Sequence, residues 1–68
     1  MTVTYLLPGD DGTWVEYTKD TTTSDIYYEV LDVPDDFNGY WSLEPDSEWS
    51  IGNLYVYENI NIYGVLRT

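Results

Sequence analysis

Alternation of apolar and polar positions is the first signal along this chain. Residues 2–7 put Val3, Tyr5 and Leu7 on one side and Thr2 and Thr4 on the other, the period of a strand with one buried face. Pro8-Gly9-Asp10-Asp11-Gly12 then concentrates turn-forming residues. The alternation resumes over 13–18, with Trp14, Glu16 and Thr18 against Thr13, Val15 and Tyr17, so the two segments predict a β-hairpin with a five-residue loop. Residues 19–25 are polar and Thr-rich and predict a loop.

Residues 26–33 fit two periods. At 100° per residue, Ile26, Tyr27, Val30, Leu31 and Val33 fall within an arc of about 160°, opposite Glu29 and Asp32, with Ser24 or Asp25 as N-cap and Pro34 as the stop. Eight residues make barely two helical turns, however, and Ile, Tyr and Val favour strands, so a strand buried on parts of both faces fits as well. Asn38-Gly39 is the strongest hairpin signal, because both residues accept positive φ, although Pro34 and the Asp35-Asp36 pair make the preceding flank irregular. Residues 40–44 predict a strand and Pro45-Asp46-Ser47-Glu48 a second turn. A short strand over 49–51, broken by Gly52-Asn53, precedes two convincing strands, 54–58 and 60–66, joined as a hairpin near Glu58-Asn59. The expected fold is mainly β: a single domain over 1–68 with a small antiparallel sheet of four to six strands, the alternative adding one short helix at about 25–33.

Composition supports a folded chain and narrows its chemistry. Eight Tyr, three Trp and one Phe stand beside six Val, four Ile and eight Thr, with no Ala or Gln, a stock that suits strands and separates this sequence from a disordered acidic tail. Trp14, Trp41 and Trp49 are expected in the core, since a small sheet needs large residues to fill it. At 68 residues the domain has one core and no room for a deep substrate cavity, so function is expected on the surface. The absence of Cys and His removes disulfides, thiolate nucleophiles, thiolate zinc sites and the commonest general base. No enzyme activity, cofactor or metal is expected; Asp10-Asp11 and Asp35-Asp36 could meet a hard cation loosely, but nothing follows the EF-hand loop pattern. The opening MTVTYLLPGDDG has no basic segment and no long apolar run, so the expectation is a soluble, cytoplasmic protein with no membrane association.

Charge changes the picture most. Thirteen acids against two bases give a formal net charge of −11. Twelve of the acids and Lys19 lie between residues 10 and 48, whereas residues 49–68 hold one acid, Glu58, and one base, Arg67. The acids thus belong to the loops and the middle of the chain, and the nearly neutral C-terminal twenty residues read as the structural centre of the sheet. A compact chain of this length has a diameter of roughly 28 Å, and eleven charges match those on about 19 Å of duplex DNA. Solubility needs a charge of only about 2 to 8 on a small domain. A strongly basic partner surface would explain the excess.

In size, charge and β-rich, aromatic character the chain resembles the small acidic inhibitors of phages and mobile elements that mimic DNA, a class that includes anti-CRISPR and anti-restriction proteins and inhibitors of uracil-DNA glycosylase. The resemblance implies a stoichiometric inhibitor whose carboxylates stand in for phosphates and occupy the basic nucleic-acid-binding surface of a host or defence protein or complex. It further implies no direct binding of nucleic acid, a monomer or homodimer, and, for a phage-encoded protein, the host cytoplasm. The candidate partner-binding residues are Asp32, Asp35 and Asp36, then Glu44, Asp46 and Glu48, with Tyr40, Glu29 and Asp25. A turn at Asn38-Gly39 would bring the two acidic triplets together with exposed aromatics between them, and an extended 44–48 would space alternate acids about 6.7 Å apart. The rival expectation is a small carbohydrate-binding or structural module, in which Trp and Tyr platforms serve sugars.

Overall fold

Hydrogen-bonded pairing in the computed structural model, which describes residues 1–22 and 25–67, yields six strands: β1 (Thr2–Pro8), β2 (Trp14–Thr21), β3 (Tyr27–Val30), β4 (Gly39–Ser42), β5 (Asn53–Val56) and β6 (Ile60–Leu66). Four form one sheet in the order β2-β1-β6-β4, and β3 pairs with β5 in a second. The protein is mainly β, with no helix among the described residues.

The first hairpin forms as its turn chemistry predicts. The Gly9 amide donates to the Thr13 carbonyl at 2.7 Å, and Gly12 takes a φ of 85°, a left-handed conformation that glycine adopts without steric cost. Strand β2 runs three residues into the segment expected to be loop, because Thr21, Asp20 and Lys19 pair with Thr2, Val3 and Thr4. The register slips between Tyr5 and Leu6, a bulge that adds Tyr17 to the β2 side.

The sheet is mixed rather than wholly antiparallel. Strand β6 runs parallel to β1, with Val3 opposite Ile60 and Tyr5 opposite Ile62, and antiparallel to β4. The expected hairpin between 54–58 and 60–66 therefore does not form. Asn59 offers its side-chain oxygen to the Thr2 amide at 2.9 Å, which steers the following strand to β1 instead of back along β5. Residues 26–33 resolve as a strand: Tyr27 and Glu29 face inward while Tyr28 and Val30 face out, and Tyr28 lies opposite Tyr55. Ser24, one of the two helix caps considered, lies outside the described residues. Residues 49–51 are irregular, although the Ile51 amide still donates to the Trp41 carbonyl at 2.9 Å.

Val3, Tyr5, Leu31, Trp41, Val56 and Ile62 form the core, which joins the two sheets. Trp41 is its keystone: only 1% exposed, it meets Tyr5 edge to face at 5.1 Å, stacks near Phe37, and donates its indole N–H to the Asp32 carbonyl at 2.9 Å. The other two tryptophans depart from expectation. Trp49 is 81% exposed, and Trp14 lies at the edge strand, its ring against Tyr63 at 5.0 Å.

Asn38-Gly39 is not a turn. Among the described residues positive φ is confined to Gly12 and Asp46, and Gly39 is the first residue of β4. Glycine is needed there for closeness: a Cβ would run into the Val65 carbonyl oxygen and the edge of the Phe37 ring. Gly39→Ala should therefore lower stability by about 1–3 kcal/mol, the usual cost of overpacking. Urea unfolding measures it, and an unchanged midpoint would mean that β4 shifts without penalty.

Candidate functional site

Twelve of the thirteen carboxylates are exposed; Glu29 alone is half-buried. Two cations face them. Lys19 pairs with Glu16 at 3.1 Å on the surface of β2, and the Arg67 guanidinium lies over the Tyr40 ring, 5.2 Å from its centre. The net charge is thus left on the outside of a body measuring 36 × 20 × 20 Å. No group of three or more carboxylates among the described residues is arranged to hold a metal ion. No helix among them is long and apolar enough to cross a membrane.

The two acidic triplets are placed differently from expectation. Asp32, Asp35 and Asp36 are exposed, the last two at the tip of a turn closed by the Phe37 amide on the Pro34 carbonyl at 3.0 Å. Glu44, Asp46 and Glu48 are exposed on a turn rather than an extended run, with Asp46 at a φ of 56°, so no evenly spaced row of acids exists there. Between the triplets runs β4. The segment before it places Phe37 with Trp41 on the covered face of the sheet; the segment after it folds over the opposite face, where the Tyr40 hydroxyl donates to the Ser47 carbonyl at 2.6 Å. No turn at Asn38-Gly39 folds the chain back, so β4 runs between the two triplets. The aromatics expected between them are not free either: Trp41 is buried, and Phe37 and Tyr40 are half-buried. Large rings at the sheet centre fill the core before they serve a partner.

What the fold does bring together is the 44–48 turn and the loop of the first hairpin. Gly9, Gly12 and Thr13, Trp14, and Pro45 with Asp46 line one open cleft of about 460 Å³ at the end of the sheet. Asp10 and Asp11, turn-forming residues of that loop, are exposed beside the cleft without lining it. Asp11 is held below the usual carboxylate range by the Thr13 hydroxyl and amide, which donate to it at 2.6 and 3.2 Å.

Asp25 is exposed just before β3, whereas Glu29, counted among the partner-facing acids, points inward. Its Oε2 and the Tyr27 hydroxyl are both buried without a hydrogen-bond partner among the described residues. Burial chiefly, and then the nearby Asp20 carboxyl, push the Glu29 acid above its ordinary range, while the Tyr5 hydroxyl opposes the shift. Burial, with the same carboxylate beside it, raises the Tyr5 phenol in turn, and the Tyr27 phenol is raised for the same two reasons. The pattern of period two contained this placement, since it sets Glu29 beside Tyr27 and opposite Tyr28.

Outward from the same strands lies a feature that sequence reasoning missed. Tyr28, Val30 and Tyr55 are exposed on the far side of β3 and β5, with the two tyrosine rings 5.1 Å apart. The signal was present in the register of two strands, but it becomes visible only once β3 is known to pair with β5 rather than β5 with β6. Neither a protein-family model, nor a curated protein, nor a solved structure matches this chain.

The raised Glu29 acid has a consequence for stability. The folded state binds its proton more tightly than the unfolded chain does, so stability falls as pH rises through the folded value and levels off above it. Glu29→Gln should raise the melting temperature at pH 7 and leave it nearly unchanged below about pH 3, where the carboxyl is protonated in both states. Thermal melts across that range decide it; a variant that melts lower at pH 7 would show that the ionised carboxylate is needed by the fold.

Proposed function

We propose that this protein is a stoichiometric inhibitor that occupies the basic nucleic-acid-binding surface of a host or defence protein by mimicking the charge of DNA. The observation that carries the reading is the set of twelve exposed carboxylates left almost without compensating cations. A charge of −11 along 36 Å is one per about 3.3 Å, close to the spacing of roughly 3.4 Å between charges on one strand of a duplex. The body's length also matches about one helical turn, roughly 34–36 Å. Self-repulsion at this density works against a small core, and solubility is served by fewer charges. A partner rich in Lys and Arg turns the same repulsion into attraction, because carboxylates then take the place of phosphate oxygens. CRISPR surveillance complexes, restriction enzymes and repair enzymes all have such surfaces and work in the cytoplasm, where this protein would act as a monomer or homodimer without touching nucleic acid itself.

One observation favours the second reading, a carbohydrate-binding module: Trp14 forms a wall of the cleft shared with Asp46. A glycan array separates the two. A clear sugar ligand whose binding survives loss of Glu44, Asp46 and Glu48 would select the module.

For the leading reading, the partner is first captured from a lysate of the target cell at low and high salt. Replacing Asp32, Asp35, Asp36, Glu44, Asp46 and Glu48 with their amides should slow association with that partner by about 10- to 1000-fold at low salt, the range that electrostatic steering commands. All six side chains are exposed, so the melting temperature should hold or rise. Unchanged association would place the interface away from both triplets.

A further inference from the structure

We infer that the outer face of β3 and β5 is the docking surface for an arginine-bearing protein segment, with its tyrosines as the seat and the neighbouring carboxylates as the rim. The inference rests on the reading of a basic partner given above and adds the face that receives it. Tyr28 and Tyr55 lie opposite each other in the register, and Ile26 and Tyr57 are the exposed residues immediately outside the ends of the two strands. Val30 lies opposite Asn53 and completes the face. These side chains are open to solvent: Ile26 is 64% exposed, Tyr28 50%, Val30 59%, Tyr55 66% and Tyr57 69%. At roughly 100 Å² for each tyrosine alone, the face reaches the few hundred Å² above which an exposed apolar patch on a soluble protein marks an interaction site.

Charge decides the occupant. The one acid within the two strands, Glu29, points inward, so the outer face is uncharged on a protein that carries −11. Exposed carboxylates flank it in the chain: Asp25 before Ile26, Asp32 beyond Val30 and Glu58 after Tyr57. Tyrosine is among the residues enriched at protein interfaces and at their hot spots, and the acids that flank these strands in the chain supply carboxylates to a cationic partner. A second copy would set −11 against −11. An arginine side chain satisfies both parts at once, because its planar cation stacks on a tyrosine ring and pairs with a carboxylate at the border.

The test uses deca-arginine and deca-lysine as probes of the intact protein. In NMR titrations deca-arginine should shift the ring resonances of Tyr28, Tyr55 and Tyr57 more than signals from 32–36 or 44–48. The combined variant Tyr28→Thr, Tyr55→Thr, Tyr57→Thr keeps strand-forming residues at exposed positions and should melt within a few degrees of the parent. It should bind deca-arginine about tenfold more weakly and lose any preference over deca-lysine. Shifts confined to the acidic loops, or equal affinity in the variant, would overturn the inference. So would a dimer in sedimentation that the three substitutions dissociate, since the face would then belong to a second copy. Failure here is separable from failure of the proposed function: if the threonine variant still associates with the captured partner while the six-amide variant does not, the acidic loops carry the function and this face does not.

Discussion

The parallel pairing of β1 with β6 is the constraint on which the remaining structure depends. It brings segments separated by 57 positions side by side and aligns Val3, Tyr5, Ile60 and Ile62 on one face. Strands β2 and β4 then have an edge to join, and the inner side of β3 and β5 has an apolar surface to cover. Such a pairing closes a long loop before it is rewarded, which places this fold among those that form slowly for their size. Few residues stand behind it. Among the described residues, six buried apolar side chains, centred on Trp41, hold two sheets together.

A core so slender explains where the charge lies. There is no interior in which carboxylates could be paired and hidden, and only two cations exist to meet them, so the acids stand outside and repel one another. The exception follows the same logic. Glu29 is drawn inward by the alternation of β3, and the water it loses there, with the nearby Asp20 carboxyl, raises its acid against the opposing Tyr5 hydroxyl. The turn inward leaves the opposite side of β3 free of charge, so one strand position sets both the strained acid beneath and the neutral tyrosine face above.

Much of the architecture was legible in the residues. The first hairpin with its glycine-rich loop and the strands near 40–44, 54–58 and 60–66 follow from period-two alternation and from Gly and Pro punctuation, while 26–33 fitted two periods. Pairing was not legible, because alternation says which face a residue takes and nothing about which strand lies beside it. That is why 54–58 was joined to 60–66, and why a parallel neighbour for the first strand went unforeseen. Asn38-Gly39 misled for a different reason: glycine there answers to the crowding of Val65 and Phe37, a tertiary demand that imitates a turn signal. The acidic site was legible in composition but not in geometry. A turn at Asn38-Gly39 would have brought 32–36 and 44–48 together, whereas β4 runs between them and the 44–48 turn lines a cleft with the loop of the first hairpin.

The central claim is that this surface replaces DNA on its partner. It is tested most directly by loading the captured partner with a labelled duplex of about one helical turn and adding the protein in measured amounts. The account predicts release of the duplex in a one-to-one ratio and no shift of the duplex by the protein alone. A ternary complex in which duplex and protein are bound together, or a band shift with the protein by itself, would contradict it.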